Sequence, residues 1–187
     1  MKLDAAFRKS AEQIAEELRA ELGITNFQRL DPHALFESLE VPVISMTELV
    51  KLTPDELLAD AINYLQTEET SLSAATVFDG PRRMVVFNDT APGRRQASDL
   101  THEAAHSLLL HTPQPVRDAL GCRLWDDLVE TEAQYLGGCL LIPGKGARYA
   151  AKAGWTEERT AREFGCSPQM VTWRLNITGA RRVKRSR

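Results

Sequence analysis

Thr101-His102-Glu103-Ala104-Ala105-His106 sits inside a run, about Arg95 to His111, whose apolar residues recur at helical spacing before Pro113 closes it. At about 100° per residue, positions four apart lie only about 40° around a helix, so both imidazoles can grip one metal ion from the same face. Glu103 falls beside that face. The offset suits a carboxylate that contacts the attacking water instead of the metal. Zinc held by such a pair brings the pKa of water towards about 7 and polarises a carbonyl, and Glu103 is then the base that takes the proton. The same pattern also arises by chance in helices whose histidines are surface or core residues, so the reading turns on a third ligand, which a catalytic zinc requires.

Working outward, a second long helix is predicted over about Asp126 to Leu141, closed by Pro143-Gly144, and it contains Glu130-Thr131-Glu132-Ala133-Gln134-Tyr135-Leu136. In helical projection Leu128, Val129, Tyr135, Leu136 and Cys139 cluster around Glu132, whereas Glu130 points about 160° away with Gln134 and Gly137. A carboxylate in the middle of an apolar face costs several kcal/mol unless a cation or strong donors satisfy it. The sequence therefore names His102, His106 and Glu132 as metal ligands and Glu103 as catalytic base. Glu130 reads as solvated and Cys139 as a core filler. The competing reading of Glu132 is an ion pair with a buried arginine such as Arg95. The longer pattern H-E-x-x-H-x-x-G-x-x-H is excluded, because positions 109 and 112 are Leu109 and Thr112. His111 is out of that register and is read as settling the C-terminal end of its helix. Tyr135 and His111 are the candidates for an oxyanion donor.

Upstream, Ala75 to Phe78 and Arg83 to Phe87 flank a turn at Asp79-Gly80-Pro81-Arg82 and predict a hairpin. An amphipathic helix opens the chain from Leu3 to Leu22 and stops at Gly23. Asp31-Pro32 starts a short helix, Val41 to Ile44 reads as a strand kept at a sheet edge by Pro42, and Thr53-Pro54-Asp55-Glu56 reads as a capped helix start. Downstream, Thr156 to Phe164, Gly165-Cys166 and Ser167-Pro168 predict two short helices with helix-turn-helix spacing. Few strands among many helices give an α+β class with a small antiparallel sheet. The expected organisation is a metallopeptidase domain over 1–150, a helix-turn-helix-like segment over 151–180 and a basic tail over 181–187.

Composition narrows the class. The 187 residues, 43% hydrophobic, are enough for one good core. The longest apolar runs fall far short of the roughly 20 residues a membrane span needs, and the charged start predicts no signal peptide. A cytoplasmic protein is expected. Cys122, Cys139 and Cys166 are odd in number and form no C-x-x-C pair, which argues against a disulfide framework or a cysteine zinc site. The net charge of -3 conceals an asymmetry: residues 151–187 hold 9 Lys/Arg against 3 Asp/Glu, and the residues before them 14 against 23. Such a segment could meet nucleic acid or an acidic partner, or be a solvated terminus. Met170, Val171 and Trp173 read as core contacts, so packing or partner docking is favoured over DNA binding.

Three stretches, Met84 to Asn88 with its following loop, Thr101 to His106, and Glu130-Thr131-Glu132-Ala133 through Leu140-Leu141-Ile142-Pro143, resemble the ImmA/IrrE family of metallopeptidases. Members usually carry Phe and Ala where this chain has Leu136 and Gly137, and Asn where it has Gln134. The resemblance implies a compact thermolysin-like (gluzincin) minimal peptidase fold, one zinc per chain with manganese as the alternative metal, and Glu132 as third ligand. It further implies cleavage of a helix-turn-helix repressor, often encoded beside the peptidase on a mobile element or stress locus. A substrate lying along Met84 to Phe87 would place its scissile carbonyl at the metal. The alternatives are a DNA-associated or partner-binding regulator that does not cleave, and the toxin of a toxin-antitoxin pair.

Overall fold

In a computed structural model, residues 3–52, 56–66, 72–111 and 126–181 are described. Helix α1 (Ala5–Glu21) begins at Asp4, whose Oδ1 accepts from Phe7 N at 2.6 Å, and α2 (Pro32–Ser38) begins at Asp31, whose Oδ1 accepts from His33 N at 3.0 Å. Strand β1 (Val43–Ser45) runs directly into α3 (Met46–Leu52), and α4 (Glu56–Leu65) follows. The proposed cap at Thr53 and Pro54, the stop at Pro113, Cys122 and the tail beyond Arg181 lie outside the described residues.

The hairpin is β2 (Ala74–Asp79) with β3 (Arg82–Phe87), paired antiparallel from Ala74↔Phe87 to Asp79↔Arg82. β1 adds parallel to β3, with Val43 opposite Val85, so the sheet is mixed and ordered β1-β3-β2. Pro42 fits its place, because β1 is an edge strand. One expectation is corrected here. Met84 to Phe87 lies in the central strand, its hydrogen-bonding groups already used on both sides, so it offers no edge to a substrate; β2 is the edge on the other side among the described residues.

After the sheet come α5 (Gly93–Leu108) and α6 (Asp127–Leu141), the latter capped by Asp126, whose Oδ1 accepts from Leu128 N and Val129 N. Next are α7 (Gly144–Lys152), α8 (Glu157–Phe164) and α9 (Pro168–Ile177). Gly165 ends α8 in the left-handed region at φ 72°, and Ser167 Oγ caps α9 by accepting from Met170 N. The main core joins α1, α2, β3, α5 and α6 through Leu35, Phe36, Val85, Leu100, Leu136 and Leu140. A second core ties α8 and α9 to the rest: Phe164, Cys166 and Val171 pack with Ala97 of α5, Leu141 and Ile142 of the α6 end, and Ala147 of α7. No helix among the described residues is long and apolar enough to cross a membrane.

Among the described residues two arginines are wholly buried. Arg19 donates to the carbonyls of Thr25, Gln28 and Leu140, and burial pushes its pKa down to about 10. Arg174 donates from Nε to Ile142 O at 2.8 Å and from Nη2 to Glu12 Oε1 at 2.6 Å. The other Glu12 oxygen accepts from Gly144 N at 2.7 Å, capping α7 from across the molecule.

Candidate metal centre

The site is built where α5 meets α6. A Cβ added at Gly137 would stand 3.1 Å from Thr101 O and 3.2 Å from His102 N, so the two backbones lie close together beside the first histidine. Glu130 precedes Gly137 by seven residues, two helical turns, and so lies on the same, α5-facing side. Its Oε2 is 3.2 Å from His102 Nε2 and its Oε1 is 3.7 Å from His106 Nε2, while the two Nε2 atoms are 3.0 Å apart. These atoms form the group among the described residues that could hold a metal ion, all within 4.8 Å of one another. Donors about 2.0–2.1 Å from a tetrahedral ion stand roughly 3.3 Å from each other, so the set His102, His106 and Glu130 fits a zinc-like ion in both chemistry and spacing. Burial, with the neighbouring His102 and His106–His111 contacts adding, pushes the His106 pKa down to about 4, which keeps the imidazole neutral as a ligand must be.

The carboxylate brought to the two histidines is Glu130, and Glu132, the expected ligand, stands apart from that group. The apolar residues that surround Glu132 in projection do form a buried face, but that face meets α1 and α9: the Tyr135 ring lies 6.1 Å from Phe7 and 6.0 Å from Trp173. Leu128, counted in the same cluster, is 40% exposed. The α5-facing side is the one with small residues, Ala133 and Gly137, because two helix backbones packed closely leave no room for larger ones. Glu132 instead places Oε2 3.3 Å from His111 Nε2. The arginine alternative does not apply either, since Arg95 donates to Ser73 Oγ and lies 3.7 Å from Asp99.

Glu103 is one position round α5 from the histidines, as projected, and its Oε2 accepts from Thr76 Oγ1 of β2 at 2.5 Å. Burial raises its carboxyl above the usual carboxylate range; Thr76 and His102 oppose the rise and the charge of Glu130 adds to it. A carboxylate so placed is a better proton acceptor than a free one. Thr76 was not foreseen, as nothing in a hairpin pattern marks which strand position will reach the next helix. A cavity of about 590 Å³ opens beside His102, walled by Ser98, Asp99, Asp127, Thr131 and Gln134 together with His102 and Glu130. Cys139 is buried and its thiol pushed up to about 12, as befits a core filler.

Comparison with curated proteins and with solved structures gives no match. The family model of the IrrE N-terminal-like domain, the M78 peptidases, matches residues 52–176, which takes in the hairpin, both site helices and the two C-terminal helices. With that match over most of its length and a two-histidine, one-carboxylate cluster on α5 and α6, the chain belongs to the M78 (ImmA/IrrE) peptidase family.

Proposed function

We propose that this protein is a zinc-dependent endopeptidase that cleaves a helix-turn-helix transcriptional repressor and so relieves repression. The observation that carries the peptidase reading is the convergence of His102, His106 and Glu130 with Glu103 alongside. In this reading His102, His106 and Glu130 hold the ion, and manganese could serve in place of zinc. The ion, when bound, supplies Lewis-acid polarisation of the scissile carbonyl and an acidified water. Glu103, oriented by the Thr76 hydroxyl and lifted in pKa by burial, takes a proton from the attacking water and later returns it to the leaving amine.

The substrate path follows from the sheet. β2 is an edge, it carries Thr76 beside Glu103, and Val77 on it is half exposed, so an extended peptide adding to β2 would run past the base and the cavity beyond. The repressor as substrate rests on the family resemblance, and the cytoplasm is where such a partner would be met. The C-terminal pair supports docking or packing over DNA reading: Val171, Arg174 and Leu175 of α9 are buried in the body of the protein, leaving that helix little free face for a groove.

The test is a paired measurement of zinc content and repressor cleavage. Glu103→Gln is expected to keep one zinc per chain and lose cleavage by at least about 100-fold, while His106→Ala loses both. Equal cleavage by the wild type and Glu103→Gln would overturn the mechanism. Zinc binding by wild type with no cleavage of a co-encoded repressor would leave a metal-binding regulator in its place.

A further inference from the structure

Glu132 and His111 have no part in the proposed ligand set, yet they connect to it. Glu132 Oε2 lies 3.3 Å from His111 Nε2, and the other nitrogen of that ring, Nδ1, lies 2.9 Å from His106 Nδ1. The chain of contacts ends on the nitrogen of His106 that faces away from His102 and Glu130. Both imidazoles are well shielded, at 11% and 19% side-chain exposure. We propose that Glu132 and His111 are positioning residues that hold His106 in the one tautomer able to coordinate a metal through Nε2; the proposal rests on the metal-site reading above.

The tautomers follow from donor and acceptor counting. A carboxylate oxygen accepts only, so His111 Nε2 carries a hydrogen and donates to Glu132. While both rings are neutral each has a single N–H, which leaves His111 Nδ1 as an acceptor. Two lone pairs cannot face one another at 2.9 Å, so His106 Nδ1 must be the donor in that contact. His106 Nε2 is then left with its lone pair, directed to the place where His102 Nε2 and the Glu130 carboxylate also converge. In the other tautomer a hydrogen would sit where the ion belongs.

α5 stops at Leu108, and Leu110 takes a left-handed conformation at φ 53° although it is a leucine and 74% exposed. That turn folds the chain back so that His111 N donates to His106 O at 3.0 Å, and it brings the His111 ring edge-on to the His106 ring at 5.0 Å between centroids. With Leu110 N on Ser107 O and His111 N on His106 O, this is the ordinary left-handed close of a helix, and here it also carries the His111 ring to His106. It also takes His111 out of consideration as an oxyanion donor, since both its nitrogens are engaged behind the ligand.

Zinc affinity, by competition with a chromophoric chelator, and imidazole nitrogen chemical shifts of the metal-free protein at mildly alkaline pH together test the proposal. Wild type should show His106 with hydrogen on Nδ1. Glu132→Ala and His111→Ala should each weaken zinc by roughly 10- to 100-fold and leave His106 in mixed tautomers. Glu132→Gln, whose amide oxygen can still accept from His111, should recover most of the affinity and serves as the control for folding. Wild-type affinity and an unchanged tautomer in Glu132→Ala and His111→Ala would overturn the relay. So would complete loss of zinc in Glu132→Ala equal to that in Glu130→Ala, which would make Glu132 a ligand. A wild type that binds no zinc would instead overturn the metal-site reading, while its nitrogen shifts would still report whether His106 Nδ1 holds the hydrogen.

Discussion

At the scale of single residues, the chemistry concentrates in side chains that are only partly shielded, and each has a neighbour that sets its state. Thr76 does this for Glu103. Removing its hydroxyl in Thr76→Val should leave zinc binding intact and slow cleavage by roughly tenfold, because the base loses its fixed orientation; Thr76→Ser should restore the rate, and steady-state kinetics beside metal analysis decide it. His106 gives a stability prediction with a definite sign. Its pKa is about 4 in the folded metal-free chain against an ordinary 6.5, so between those values the unfolded chain binds more protons. Stability of the metal-free protein therefore falls as pH is lowered through that window, and urea unfolding at several pH values should show a slope that is reduced in His106→Ala. The two histidines and Glu103 were legible in the sequence because their relation is set by helix geometry within five residues. The carboxylate that joins the histidines was not, since Glu130 and Glu132 differ only in which neighbour their side of α6 meets. Gly137 carried the missing signal: a small residue two turns from an acid marks a close helix contact, whereas hydrophobic neighbours mark a core.

Among the elements, α6 is packed from several sides, by α5, by α1 and by α9. Gly138 shows it. A Cβ there would stand 2.2 Å from Trp173 Cζ3, so Gly138→Ala must displace the indole and is expected to cost about 1–3 kcal/mol by thermal or urea unfolding. If the variant unfolds like wild type, the indole is free to swing and the contact is not a constraint. The hairpin, the metal helices and the α8–α9 pair were all readable from local signals, namely alternation, a proline stop, and Ser167-Pro168 after Gly165. Two helices were not. α3 follows β1 with no turn residue between them, and α7 opens on Gly144-Lys145-Gly146, which by itself reads as a loop. Its start is stabilised by Glu12, more than a hundred residues away, and no local rule can register such a partner. The parallel addition of β1 to β3 escaped for the same reason: strand neighbours distant in sequence leave no mark on a local pattern.

For the whole molecule, the expected border at residue 150 does not coincide with a gap in packing. Phe164, Cys166 and Val171 share a core with Ala97 and Leu141, and Arg174 reaches Ile142 and Glu12. A chain ended after Lys152 should therefore fail to fold cooperatively, which circular dichroism during thermal unfolding would reveal; a sharp transition near that of the full chain would establish 1–150 as an independent unit. Arg174→Ala is expected to cost roughly 3 kcal/mol or more, since it strands the Glu12 carboxylate and frees the Ile142 carbonyl. The α+β class itself was accessible from the sequence, because the balance of periodicities survives errors in individual elements.

The Glu12 clasp also fixes an order of events during synthesis. One carboxylate near the start of the chain joins the beginning of α7 to an arginine 162 residues further on. The ribosome must release Arg174 before that contact can form, so the bond that ties α1 to α9 closes after α1 has already met α2, β3 and α5. A nascent chain already holding both histidines and Glu130 would still lack the ion pair that ties α1 to α9. The helix that carries Glu130 would then gain its contact with the Trp173 indole only after α9 has emerged.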